Sequence, residues 1–317
     1  MTYILGIDTS AYTTSIALID EKSNKILADE RKVLQVKKGQ KGLRQQDAVF
    51  QHLKNFSKLY ENINYDLSKI KIVSVSSKPR NIEGSYMPVF TVGYNYGKII
   101  AETLNCKFIE YSHQENHISA SLINHYKDVS KMLAVHLSGG TTEFIVAEKS
   151  PKGYKTKILG GTKDITFGQL VDRIGTLMDF PFPCGLHMEN YIRGKNFEKI
   201  KPPNISGGAY INLSGMENYY SNLYLSKKFT KESIIHSLFE YISKSIVHII
   251  NNLSHIQFKT LVISGGIASN SYIRNFLRAD IKDYEVLLPD VENSSDNAVG
   301  VAYLPIIDRW YNEIKTY

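Results

Sequence analysis

MLAVHLSGGTTEFIVAE, residues 132–148, is an apolar run, a tip of small polar residues and a second apolar run. Met132 to Leu137 and Glu143 to Glu148 read as strands, and Ser138 to Thr142 as the turn that joins them. Lys155 to Leu159 adds a third strand and makes a meander. The chain uses the same outline once before. Tyr3 to Asp8 is apolar, Thr9 to Thr14 is small and polar, Ser15 to Asp20 is apolar again, and Lys25 to Val33 follows the turn-prone Glu21 to Asn24. After the first meander the pattern predicts a helix over 45–60, a strand over 70–76, a helix over 89–104 and a strand over 107–110. After the second it predicts helices over 168–178 and 232–253, a strand over 260–264, a helix over 269–279 and a strand over 284–287. Two meanders, each feeding an α/β unit, outline a duplicated α/β fold with a cleft between its lobes.

A chain of 317 residues is long enough for two such cores. The expected lobes are 1–125, completed by a C-terminal helix over 297–317, and 126–296. No apolar stretch approaches the roughly 18 residues a membrane span needs. Met1 to Ser10 lacks the basic start of a secretory leader. Two cysteines, Cys106 and Cys184, make neither a disulfide framework nor a cysteine zinc site. The expectation is a cytoplasmic protein with no membrane partner. A net charge of +7 suits an anionic partner. Arg31 to Arg44, with Arg31, Lys32, Lys37, Lys38, Lys41 and Arg44 and no acid, reads either as a solvated loop or as a contact to a phosphate backbone.

Two glycine pairs carry the first chemical signal. Ser138-Gly139-Gly140 is either a plain hairpin turn or a loop whose backbone N–H groups approach phosphate oxygens, since no Cβ stands in the way. Ser264 to Asn270, containing Gly265 and Gly266, follows an apolar strand and opens a helix, an arrangement that accepts an anion or a nucleotide edge. His113 and His117 are four residues apart, so on a helix both imidazoles share one face and can grip one metal ion; the same spacing also suits two ordinary helix histidines. Asp296, at the head of a small-residue helix, is the candidate third ligand or that helix's N-cap. His136 and Trp310 read as packing residues, and the tyrosines form no clustered stacking platform. Peptidase chemistry is disfavoured, because the chain has neither a His-Glu-x-x-His helix nor a paired nucleophile and base.

These motifs occur in an order and spacing that resemble the TsaD/Gcp-like tRNA threonylcarbamoyladenosine transferases. The matching blocks are Gly6 to Ser10, His113-x-x-x-His117, Ser138 to Gly140, Gly168 with Asp172, Phe182 to Gly185, Ser214-Gly215, Gly265 to Asn270, and Ser295 to Ala298. The resemblance implies the two-lobed actin/Hsp70/sugar-kinase (ASKHA) fold. It implies transfer of a threonylcarbamoyl group from threonylcarbamoyl-AMP to N6 of adenosine 37 of tRNA (t6A synthesis). It further implies a divalent iron or zinc ion, threonylcarbamoyl-AMP or ATP/AMP as nucleotide ligand, and either TsaB-like and TsaE-like partner subunits or a homodimer. Residue by residue, it carries the metal ligands onto His113, His117 and Asp296. It carries the adenylate-binding positions onto His136, Leu137, Ser138, Gly139, Gly140, Asp172, Gly185 and Asn270. No nucleophilic side chain is required, because the exocyclic amine of the base is the attacking group and positioning can carry the reaction.

The chain departs from the family at several of these blocks. Ala11, Tyr12, Thr13 and Thr14 stand where the family has Cys-Asp-Glu-Thr, so two carboxylates are missing. Thr141 replaces a histidine, Asp164 to Asp172 is altered, and Ser77 to Asn81 replaces an Ala-Gly-Pro-Gly turn. These changes keep two further readings open: a carbamoyl-type transferase acting on another acceptor, and a non-catalytic nucleotide-binding scaffold subunit.

Overall fold

The computed structural model describes residues 1–10, 12–36, 43–123, 130–289 and 296–314. Ala11, Lys37, Lys38, Lys41, Ser295 and the expected boundary at 125/126 lie outside the described residues. The chain divides into two compact units, Met1–Ser130 with Glu148–Thr156 and Pro289–Tyr317, and Lys131–Ala147 with Lys157–Leu288.

The first unit is built on a five-stranded sheet of order β3-β2-β1-β4-β5, with β1 Tyr3–Asp8, β2 Thr13–Asp20, β3 Ile26–Val33, β4 Ile70–Lys78 and β5 Lys107–Ser112. β1 pairs antiparallel with β2, Gly6 opposite Ala17, and parallel with β4. Every residue of β1 and β2 is buried, as a central strand covered on both faces requires. Alternation sends Leu5, Ile7, Ile16 and Leu18 into one core with Phe56 and Leu59 of α1 (Gln45–Glu61), and α2 (Phe90–Thr103) adds Ala101. Among the described residues, the remaining α-helices of this unit are α3 (His113–Ala120) and α9 (Val299–Ile314). Gly6 is what allows α9 to lie on β1: a Cβ at Gly6 would stand 2.7 Å from Ala302 Cβ.

The expected first hairpin is tighter than the polarity of its residues suggested. β2 starts at Thr13, because the β-branched Thr13 and Thr14 continue the ladder opposite Val33 and Lys32.

The second unit carries a six-stranded sheet of order β11-β10-β6-β7-β8-β9. Its strands are β6 Lys131–Leu137, β7 Thr142–Lys149, β8 Tyr154–Thr162, β9 Tyr210–Ile211, β10 Thr260–Ser264 and β11 Glu285–Leu287. β10 runs parallel to β6, pairing Val262 with Ala134 and Ser264 with His136. The helices are α4 (Phe167–Leu177), α5 (Cys184–Ile192), α6 (Ser214–Leu225), α7 (Lys231–Asn252) and α8 (Ser271–Asp280). α7, capped by Thr230 on Ser233 N, packs Ile234, Leu238, Ile242, Ile246 and Ile249 against the sheet core.

The pattern gave no sign of α5 and α6. α5 has only nine residues, so the spacing of its buried Cys184, Met188 and Ile192 is too short to stand out, and α6 buries Tyr220 alone. The helix expected to start at Ser269 begins at Ser271, after a 3-10 turn over Gly266–Ser269.

Residues 148–156 belong with the first unit although they continue β7 and β8. Lys149 is buried there, its Nζ 2.7 Å from Asp308 Oδ1 of α9. Asp308 also accepts from Gly153 N at 2.9 Å and Tyr111 OH at 2.7 Å.

Candidate functional site

In the first unit, β5 ends in Ser112, whose side chain accepts from Glu115 N while Glu115 accepts from Ser112 N. This capping box starts α3 at His113, which places His113 and His117 one turn apart on the same face. Their Nε2 atoms are 3.0 Å apart. Asp296 Oδ1 lies 3.6 Å from His113 Nε2 and 3.4 Å from His117 Nε2. The three expected metal ligands thus converge, all donor atoms within 4.8 Å of one another.

The donor set fits a divalent ion. Two imidazoles and a carboxylate suit zinc or iron, and bonds of about 2.0–2.2 Å place neighbouring ligand atoms near 3 Å apart. The N-cap role that competed for Asp296 falls to its neighbour: Asn297 Oδ1 accepts from Val299 N at 2.9 Å and Gly300 N at 3.2 Å.

Two buried residues without an expected role surround this trio. Asp8, at the end of β1 and with no exposed surface, accepts from His113 Nδ1 at 2.8 Å, Asn116 Nδ2 at 3.0 Å and Ser10 N at 2.9 Å. Burial disfavours a charge on either partner, but the ion pair with its hydrogen bond prevails. Asp8 is held below the usual carboxylate range, and His113 is pushed up to about 9. His117 moves the other way, lowered by burial and then by the neighbouring positive His113.

A third histidine, His52 of α1, is fully buried with Nδ1 2.9 Å from Thr14 Oγ1, and Asn55 Nδ2 lies 3.4 Å from the same hydroxyl. Burial lowers its pKa to about 4, against the pull of Asp8 and Asp296. Thr14 follows directly on Tyr12 and Thr13, the two positions where the expected pattern has acids, and its hydroxyl is engaged by His52 and Asn55.

The second unit holds the remaining candidates. Gly139 and Gly140 are exposed at the tip between β6 and β7, with open space where a Cβ would stand, so their backbone is accessible to a ligand. The tip is tied down from both sides. Thr141 N donates to Ser138 Oγ at 3.1 Å, and Thr166 Oγ1 donates to Gly139 O at 2.8 Å.

Leu137 touches the second glycine loop. Gly265, at φ 98°, runs so close that a Cβ there would lie 2.5 Å from Leu137 C, and such a φ suits glycine alone. His136 is half-buried with Nδ1 3.3 Å from Ser264 Oγ, and Asn270 caps α8 by accepting from Ile273 N at 3.1 Å. Asp172 on α4 accepts from Cys184 N at 2.8 Å, next to Gly185 on the first turn of α5, and burial raises its pKa. Of the basic segment, Arg31 and Lys32 lie in β3, where Arg31 pairs with Asp29.

The family model for TsaD, tRNA N6-adenosine threonylcarbamoyltransferase, matches residues 30–303. The chain belongs to this family. The tRNA N6-adenosine threonylcarbamoyltransferase of Rickettsia canadensis is 26% identical over 100% of this chain and 96% of its own length. Among solved structures, component A of the (R)-2-hydroxyglutaryl-CoA dehydratase of Acidaminococcus fermentans aligns with a TM-score of 0.57 at 14% identity, covering 98% of this chain and 100% of that one. A ROK family glucokinase from Streptomyces griseus aligns at 0.54 and 9%, covering 95% and 98%.

At such identities the structural likenesses establish the fold, which is the α/β ASKHA fold. The threonylcarbamoyltransferase family is one of transferase enzymes on a nucleotide-binding fold, and this member is a divergent one. No helix among the described residues is long and apolar enough to cross a membrane.

The residues that sequence reasoning missed are Asp8, Asn116 and His52. Asp8 carried a signal, as an acid closing a wholly apolar strand. Asn116 lies between the two histidines, and His52 sits in a polar stretch of α1 with nothing to set it apart.

Proposed function

We propose that this chain transfers a threonylcarbamoyl group from threonylcarbamoyl-AMP to N6 of adenosine 37 of tRNA. The convergence of His113, His117 and Asp296 from α3 and the head of α9 carries the reading. His113 Nε2, His117 Nε2 and an Asp296 carboxylate oxygen would hold a divalent iron or zinc ion, which when bound supplies a Lewis acid for the carbamoyl or phosphate oxygens of the mixed anhydride.

The adenylate would lie along Gly139, Gly140 and the loop from Gly265 to Asn270, whose backbone can approach phosphate. Asp172 and Gly185 would line the same ligand. The N6 amine attacks the carbamoyl carbon, the new C–N bond replaces the C–O bond to AMP, and the amine gives up one proton. These residues contribute orientation and electrostatics, so the reaction rests on positioning. The reading includes a cytoplasmic setting, an exposed anticodon-loop base as acceptor, and either TsaB-like and TsaE-like subunits or a second copy of the chain as partner.

One observation favours a second reading, a carbamoyl-type transferase with a different acceptor. Tyr12 and Thr13 stand in place of two family acids, and Thr13 is buried in β2 opposite Val33.

The deciding experiment follows labelled threonine from threonylcarbamoyl-AMP into unmodified tRNA bearing adenine 37, with iron or zinc and the partner subunits present. Label incorporation that is lost in Asp296→Ala supports the tRNA reading. Adenylate and metal binding without incorporation favours the other acceptor.

A further inference from the structure

The hydrogen bonds around α3 fix a hydrogen on the Asp8-facing nitrogen of His113. Asp8 is an acceptor only, so the His113 nitrogen 2.8 Å from Asp8 Oδ2 carries a hydrogen, and that nitrogen is Nδ1. When the ring gives up its second proton to take a metal ion, the lone pair is therefore on Nε2, the atom that faces His117 Nε2 and Asp296 Oδ1.

The Asn116 side chain is fixed as firmly. Its amide nitrogen donates to Asp8 Oδ2 at 3.0 Å and to the backbone oxygen of Asn297 at 2.5 Å, and its amide oxygen accepts from Val301 N at 2.6 Å. A carboxylate and a carbonyl only accept and a backbone N–H only donates, so the amide has one possible orientation. Asn116 and Asp8 are both without exposed surface. Gly300 makes the approach possible, since a Cβ there would stand 2.6 Å from Asn116 Oδ1. One side chain on α3 thus joins the end of β1, the residue after Asp296 and the first turn of α9.

We propose that Asp8 and Asn116 are positioning residues of the metal centre: Asp8 selects the Nδ1–H tautomer of His113, and Asn116 fixes Asp8 and the Asp296 segment to the helix bearing both histidines. Neither residue touches the ion, and both act through the ligands. An outer carboxylate that holds a ligating histidine in this way orients the ring and raises its basicity. The inference rests on the reading of His113, His117 and Asp296 as metal ligands.

The test is a zinc titration of the full-length chain against a competing chelator, with imidazole ¹⁵N NMR of the zinc-loaded protein. Wild type is expected to bind one zinc ion and to show a hydrogen on His113 Nδ1. Asp8→Asn is expected to weaken zinc binding about 10–100-fold, with Asp8→Glu, which keeps the carboxylate, restoring the tautomer. Asn116→Ala is expected to weaken binding in the same range.

A wild type that binds no zinc overturns the metal reading and this inference together. A wild type that binds zinc, with Asp8→Asn binding equally well, overturns the inference alone. The tautomer needs no variant, so a failure of Asp8→Asn to fold leaves a decisive measurement: Nε2–H on His113 in zinc-loaded wild type overturns the assignment.

Discussion

Gly168, on the first turn of α4, lies against the backbone of Gly139 so closely that a Cβ on Gly168 would stand 2.5 Å from Gly139 Cα and 2.6 Å from Ser138 O. The neighbours are main chain and cannot swing aside, so Gly168→Ala must displace either α4 or the Ser138 to Gly140 tip. A loss of about 1–3 kcal/mol is expected, the usual range for forced overpacking. Gly139→Ala is the matched control, because a Cβ there meets nothing within 4 Å. It should leave stability nearly unchanged while weakening adenylate binding, since the new methyl group occupies the side a phosphate would approach. Thermal denaturation and adenylate titration of the two variants separate these effects.

The buried His52 makes stability depend on mild acid. Its pKa is about 4 in the folded chain and 6.5 when free, so between those values the unfolded chain binds the extra proton. The stabilisation of the neutral ring is fully present above about pH 6.5 and is lost as the pH falls toward 4. His52→Gln keeps a hydrogen-bonding group for Thr14 and removes the titration. Urea denaturation at about pH 7 and about pH 5 should show wild type losing about 2 kcal/mol more than His52→Gln over that interval. Equal losses would show that His52 titrates normally.

Much of this arrangement was legible from residues alone. Both meanders, the long helix α7 and the buried strand β10 followed from strong local periodicity, and His113-x-x-x-His117 from spacing on a helix. What was hidden has two causes. α6 presents a run of tyrosines, serines and asparagines in which only Tyr220 is buried, so its helical face leaves no apolar record. Asp8, Asn116 and Asp308 matter through partners more than a hundred residues away, Asp8 to His113, Asn116 to Val301 and Asp308 to Lys149. Pairings of that kind exist only once the strands have been ordered.

Lys149 and Asp308 illustrate the cost of such a pairing. The lysine side chain is 3% exposed and its partner 12%, so Asp308→Asn leaves an ammonium group buried with carbonyl oxygens as its remaining polar contacts. Breaking a pair of this kind typically costs about 3–5 kcal/mol. Adding Lys149→Met to Asp308→Asn removes the stranded charge while the asparagine oxygen still accepts from Gly153 N and its amide nitrogen can donate to the Tyr111 hydroxyl. The double variant should therefore be more stable than Asp308→Asn alone, as measured by chemical denaturation. If the double variant is the weaker of the two, the lysine contributes mainly through packing.

The ligand substitutions differ in how cleanly they report on metal binding. His113→Ala removes the charged partner of Asp8, a carboxylate with no exposed surface, and leaves it neutral donors such as Ser10 N and Asn116 Nδ2. The expected cost is on the order of 3 kcal/mol, so loss of metal in that variant mixes ligand removal with a weakened fold. Asp296 is different, because its side chain is 26% exposed and the helix cap beside it is supplied by Asn297. Asp296→Ala should cost less than about 1 kcal/mol yet lower bound zinc or iron, measured by elemental analysis after dialysis, below half of the wild-type content. An Asp296→Ala protein that keeps its full metal content would mean that the two histidines hold the ion with some other oxygen, and the assignment of the third ligand would fall.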